Sequence, residues 1–172
     1  MDITEKTHIG GIKFSQELVQ FSVRRTDLSD PPAEKILTRL AEKNINIPFL
    51  CSDSVTDKTT THFCVDHSDA GQVDQIITLL PYSAKNITTI RGIGLLTLFP
   101  HRNSLGLLGR IINTLARHDL AVYTCVTSIS ALAFTTDFNQ LDCIVEKLLD
   151  VIELPQNHAP FRQEFQLKQP PR

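Results

Sequence analysis

The sequence has few glycines, no surplus of positive charge, no long apolar run and no closely paired cysteines. With 7 Gly in 172 residues, 41% hydrophobic and 21% charged, it has the composition of an ordinary globular chain rather than a fibrous or disordered one. The formal net charge is −2, with nine basic and twelve acidic groups in residues 1–90 and eight and seven in residues 91–172. Neither half carries the basic excess needed to neutralise a phosphate backbone, so no nucleic-acid partner is expected. No apolar run approaches the roughly 18 to 20 residues that cross a bilayer, and Met1-Asp2-Ile3-Thr4-Glu5-Lys6 lacks the apolar stretch of a secretion signal. These absences predict a cytoplasmic protein with no membrane partner.

The motifs of catalysis and metal binding are missing too. None of Cys51, Cys64, Cys125 and Cys143 forms a CxxC pair, and each lies among apolar neighbours. Small, reduced core side chains are therefore expected at all four. The histidines show neither HExxH spacing nor a paired cysteine at zinc-ligand distance, which predicts no metal. Arg91-Gly92-Ile93-Gly94 holds a GxG without the third glycine or a following helix, so it fails as a dinucleotide loop. There is no GxSxG and no P-loop. The expectation is a non-enzyme with no cofactor.

What the chain does contain is a repeat. Ala33, Ile36, Leu37, Leu40 and Ala41 follow the spacing of a helix with one buried stripe. Moved by 75 positions the stripe recurs as Leu108, Ile111, Ile112, Leu115 and Ala116. The same offset maps the alternating run Ile45, Ile47, Phe49, Cys51 onto Leu120, Val122, Thr124, Val126, a period-two pattern that predicts a half-buried strand in each copy. Phe21 and Val23 map to Leu96 and Leu98 in further strand-like runs. A second helical stripe at Val73, Ile76, Ile77 and Leu80 recurs at Leu141, Ile144, Val145 and Leu148, so the second copy is seven residues shorter before that helix. The difference falls at hairpins near residues 54–58 and 128–130, where length changes are tolerated best.

Each copy therefore reads strand, helix, strand, strand, helix, and the β-capable segment 85–90 supplies a fourth strand to the first. This is the βαββαβ plan of a ferredoxin-like α+β fold, with antiparallel sheets, helices on one face and strand order 4-1-3-2. Strand two then lies at a sheet edge, and Pro48, which cannot donate to a ladder, suits that place.

Two such units, with Ala41-Glu42-Lys43-Asn44-Ile45-Asn46-Ile47 leading from helix one into strand two, resemble tandem ACT domains. The junction is similar to that in the regulatory half of aspartate kinases. So is the strand Ile9-Gly10-Gly11-Ile12-Lys13-Phe14 before the first copy, as is Asn103-Ser104-Leu105-Gly106 in the second. The resemblance covers roughly residues 8–150. It implies a first ACT domain at 16–90 and a second at 91–154 completed by the N-terminal strand 8–14, leaving 155–172 as a C-terminal extension. It further implies a free amino acid as effector, bound where two ACT units meet and controlling a partner enzyme of amino-acid biosynthesis, with homodimerisation through edge strands or helices.

The leading site by this reading is the loop into the second-copy helix: His101, Asn103, Ser104, Leu105, Gly106 and Leu107. Amide groups at a helix start and the helix dipole suit a carboxylate, although Asn103 or Ser104 equally serves as an ordinary N-cap. Val122, Tyr123 and Thr124 on strand two are expected to form the other wall, in competition with pairing of that edge to another chain. The first copy offers Asp27 and Asp30 in its turn, with Asn46 and Ile47 at the start of its strand two. There Pro31 takes the place of Gly106 and removes a donor, so a ligand held by this loop in one copy alone is expected in the second. Two other functions fit the βαββαβ plan. An RNA-binding module lacks its stacking aromatics here, and a dimerisation module without ligand remains the structural alternative.

Overall fold

The computed structural model describes residues 6–25, 32–55, 58–80, 86–100 and 104–161. In chain order the elements are β1 Thr7–His8, β2 Gly11–Phe14, β3 Leu18–Arg25, α1 Pro32–Glu42, β4 Phe49–Val55, β5 Lys58–Asp66, α2 Ala70–Thr78, β6 Ile87–Phe99, α3 Leu105–Arg117, β7 Thr124–Thr127, β8 Leu132–Asp137, α4 Leu141–Leu148 and β9 Ile152–Glu153. They form two compact units. The first comprises Gln16–Leu95 with Asp137–Asn139; the second comprises Met1–Ser15, Leu96–Thr136 and Gln140–Arg172.

In the first unit the strand order is β4-β5-β3-β6. Val19, Phe21 and Val23 of β3 and Phe63 and Val65 of β5 turn one face toward Ile36 and Leu40 of α1 and Val73 and Ile76 of α2. Phe21 and Phe63, cross-strand partners, stack with ring centroids 5.3 Å apart and are fully buried. Pro32 opens α1, where its missing N–H costs nothing. In the second unit the order is β2-β6-β8-β7, with β2 antiparallel to residues 96–99. Leu107, Ile111 and Leu115 of α3 and Leu141, Ile144 and Leu148 of α4 are buried there with Ile12, Leu96, Leu98 and Phe134. Counted by role, both units have the order 4-1-3-2, the α+β ferredoxin-like architecture with antiparallel strands.

The duplication reaches backbone dihedrals. Asn44 and Asp119, 75 residues apart, both have positive φ, 56° and 52°. Each ends its helix in the left-handed conformation that Asn and Asp tolerate better than most residues. The amides that follow bond in the same way, Ile45 N–H to Leu40 O and Leu120 N–H to Leu115 O, each at 3.0 Å.

Strand two begins later than the apolar alternation predicts. β4 starts at Phe49 rather than near Ile45, because Ile45 and Ile47 are spent on packing under the helix end and Pro48 has no N–H to offer. β7 likewise starts at Thr124. Of the expected fourth strand 85–90, residue 85 lies outside the described residues, and Ile87 to Ile90 join the run near 96–98 in one 13-residue strand, β6. Gln20 pairs with Ile90 and Leu18 with Ile93, so β6 carries one extra residue there. Gly92 accommodates it with φ +69°, the left-handed conformation of a glycine bulge.

The cysteines divide. Cys64 is fully buried, and burial, with Cys51 beside it, pushes its thiol up to about 12. Cys51 is half-buried, but Cys125 and Cys143 are exposed, which corrects the expectation of four core side chains. Cys125 alternates outward on the edge strand β7, and Cys143 faces away from the stripe of Leu141, Ile144 and Val145 on α4. A thiol-specific reagent at neutral pH is expected to label Cys143 quickly, Cys125 more slowly because partial burial pushes its thiol up, and Cys64 only on unfolding. Rapid labelling of Cys64 in the native protein, read by peptide mass mapping, would contradict this core.

Candidate functional site

A groove of about 320 Å³ lies in the second unit, lined by Ser104, Leu105, Leu107, Leu108, Thr127, Ser128, Ile129 and Leu132. That is the lower end of the range for small-ligand pockets, about 300–1,000 Å³. Ser104 is the N-cap of α3, its hydroxyl accepting from Leu107 N–H at 3.1 Å while its carbonyl accepts from Leu108 N–H. Helix geometry leaves the N–H groups of Leu105 and Gly106 with no intrahelical acceptor, at the positive end of the helix dipole. Leu107 is buried and anchors this turn, whereas Leu105 is 82% exposed.

The opposite wall is the tight β7–β8 connection. Ser128 N–H donates to Ala131 O at 2.8 Å, and Ala131 N–H returns to the Ser128 hydroxyl at 3.1 Å. Ile129 is held at the tip, 83% exposed. The groove thus pairs a helix start suited to an anion with an aliphatic wall and three hydroxyl-bearing residues. None of these lining residues carries a charge.

A second groove, of about 200 Å³, occupies the corresponding place in the first unit. Pro32, Ala33 and Ser52 line it at the positions that the 75-residue offset maps to Leu107, Leu108 and Thr127. Thr61 and Leu132 also correspond, because they are the cross-strand partners of Ser52 and Thr127. The chemistry differs: Arg25 and Glu34 add charge, and Ser52 and Thr61 hydrogen-bond to each other at 2.9 Å.

Of the residues singled out by sequence, Ser104, Leu105 and Leu107 line the larger groove. Gly106 sits among them in helical conformation, and a Cβ there would meet Ser104 Oγ at an ordinary 3.9 Å. Val122, Tyr123 and Thr124 lie toward the other end of β7 and do not line it; Tyr123 N–H is bonded to Thr135 O at 2.9 Å. Asn46 is exposed, and Ile47 packs against the first unit's core. His101, Asn103, Asp27 and Asp30 lie outside the described residues. Thr127, Ser128, Ile129 and Leu132 were missed, although topology carries the signal for them. In βαβ order helix one returns antiparallel to strand one, so its N-terminus meets the end of strand two, not its beginning.

Elsewhere, Ser22 Oγ, His62 and Asp53 form a row across three strands at 2.8 Å and 3.5 Å, but they line neither groove. Among the described residues no group of three or more His, Cys, Asp or Glu is placed to hold a metal ion.

No protein-family model and no curated protein matches the sequence. Solved structures do. A structure of aspartokinase alpha and beta subunits is 20% identical, with TM-score 0.70, covering 83% of this chain and 97% of that one. The ligand-free regulatory subunit of aspartate kinase from Thermus thermophilus is 12% identical, with TM-score 0.69 and coverages of 84% and 99%. The chain has the fold of an aspartate kinase regulatory subunit. Escherichia coli aspartokinase III, solved with lysine and aspartate, matches at TM-score 0.60 and 11% identity over 84% of this chain and 33% of its own. At these identities the likeness establishes the fold, and the two tandem ferredoxin-like units account for it.

Proposed function

We propose that this chain is a non-catalytic ACT module that senses a free amino acid and controls a partner enzyme in the manner of an aspartate kinase regulatory subunit. The observation that carries the reading is the recurrence of one groove, at a helix start and the end of strand two, in both units. The two hollows fall at equivalent places because the fold is duplicated, and each is built from a helix start facing the end of strand two. The likeness to regulatory subunits and to a kinase solved with lysine supports an amino-acid effector and a kinase partner. The α3 groove is the primary site. Its helix start takes the carboxylate, and its aliphatic wall favours an uncharged side chain. The resemblance to ACT pairs supports a second unit against the ligand, and we assign that unit to a second copy of the chain. β7 is an edge strand beside the 40%-exposed Tyr123, which suits a homodimer. Ligand bound across such an interface shifts the balance between two relative orientations by its differential affinity for them, and the partner enzyme reads the result. A cytoplasmic site of action follows from the same reading.

A thermal-shift screen of the protein against the twenty amino acids tests it. A ligand at about 100 times its dissociation constant adds about 2.7 kcal/mol. One amino acid is expected to raise the midpoint, and Gly106→Pro is expected to abolish the shift, since proline in the first helical turn removes a donor that no helical bond uses. No shift with any amino acid at millimolar concentration would favour a dimerisation module without ligand.

A further inference from the structure

The second unit's edge strand β2 is covered by the chain's own C-terminal segment. Phe14 N–H, on the side away from β6, donates to Phe161 O at 2.7 Å, and Lys13 Nζ donates to Pro160 O at 2.8 Å. The Phe14 and Phe161 rings lie 5.6 Å apart, and His158 stacks on Phe161 at 5.0 Å with the planes 7° apart. Between Glu153, where the chain leaves β9, and Phe161, where it reaches β2, the segment skirts a shallow hollow. Leu149, Ile152, Leu154, Gln156 and His158 are among the residues that line it. The segment is thus fastened to β2 at its Phe161 end.

We infer that residues 155–161 are a releasable strap that guards the outer edge of β2, and that with the strap off this edge pairs with β2 of a second copy of the chain. An exposed edge offers a row of unpaired backbone groups, and a covering loop is one of the ways proteins blunt it. The strap meets the edge with a backbone hydrogen bond at Phe14, of the kind that an added strand would make. A second copy carries the same edge, and antiparallel pairing about a two-fold axis satisfies both at once. This contact involves neither groove and is independent of any ligand.

The test compares the full chain with a chain ending at Leu154 and with the full-length variant Phe161→Asp, which keeps the backbone but puts a charge where the ring stack was. Light scattering is expected to give both altered proteins at least about twice the mass of the full chain at the same concentration. Amide exchange at Phe14 is expected to rise roughly tenfold on dilution and to fall again as they associate. If either altered protein stays folded and keeps the mass of the full chain across the concentration series, the strap does not guard this edge. Phe161→Asp keeps the question answerable if the shortened chain fails to fold.

Discussion

A chain lacking residues 1–14 is expected to lose the fold of residues 96–161 while residues 16–95 stay folded. The reason is a mismatch between sequence order and spatial order. The second unit's sheet is β2-β6-β8-β7, and β2 comes from the far end of the chain. Ile9, Ile12 and Phe14 are 4%, 1% and 9% exposed. At about 1.5–3 kcal/mol for each fully buried apolar side chain, their loss removes about 5–9 kcal/mol, comparable with the roughly 5–15 kcal/mol that holds a whole domain together. Gly10 makes the docking close: a Cβ there would stand 2.5 Å from Pro100 Cδ and 2.9 Å from Phe99 O. The first unit has its own core around Phe21, Phe63, Ile36 and Leu40, and β3, β4, β5 and the part of β6 that pairs with β3 lie within 16–95. Hydrogen exchange mapped by peptide reads the outcome directly. Protection of 96–161 that survives the deletion would falsify the dependence. The milder variant Ile12→Ala is expected to cost about 2–5 kcal/mol in the transition of the second unit alone.

How legible an element was in the sequence depended on how one-sided its burial is. The α4 stripe of Leu141, Ile144, Val145 and Leu148 is buried throughout, and its periodicity has one interpretation. The apolar residues of α3 cover about half its circumference, wider than the core needs, so the expected stripe of Leu108, Ile111, Ile112, Leu115 and Ala116 is displaced. The core takes Leu107, Ile111 and Leu115 and leaves Ile112 40% exposed. Periodicity cannot separate a core face from an exposed apolar face on such a helix. Strand starts were the least legible. Ile45 and Ile47 alternate because they pack under a helix end, and alternation alone does not distinguish that from ladder pairing.

The candidate site was half legible for a related reason. The helix start at Ser104–Leu107 is a local signal, a capping residue before an apolar stripe, and local signals survive in one dimension. Thr127, Ser128, Ile129 and Leu132 carry no chemistry that marks them, and they join the groove only because the crossover brings the end of β7 to the start of α3. The repeat makes this testable, since Leu107, Leu108, Thr127 and Leu132 of one groove correspond to Pro32, Ala33, Ser52 and Thr61 of the other.

Leu108→Arg is accordingly expected to weaken binding of the proposed amino-acid effector by at least about 100-fold, roughly 2.7 kcal/mol, whereas Ala33→Arg changes it less than about twofold. The two positions are equivalent under the 75-residue offset, both are half-buried on the first turns of their helices, and each lines its own groove. Arginine is a good helix former, so neither change should unfold its helix. Its side chain is long enough to reach across a groove of about 320 Å³ or about 200 Å³. Titration calorimetry on the two variants then separates three cases. Loss in Leu108→Arg alone places the effector at α3, where Gly106 supplies a donor. Loss in Ala33→Arg alone moves it to the charged groove beside Arg25 and Glu34, and with it the expected ligand changes to one with a polar or ionic side chain. Unchanged affinity in both would remove the grooves from the argument altogether, leaving the duplicated fold as scaffold and the binding surface elsewhere.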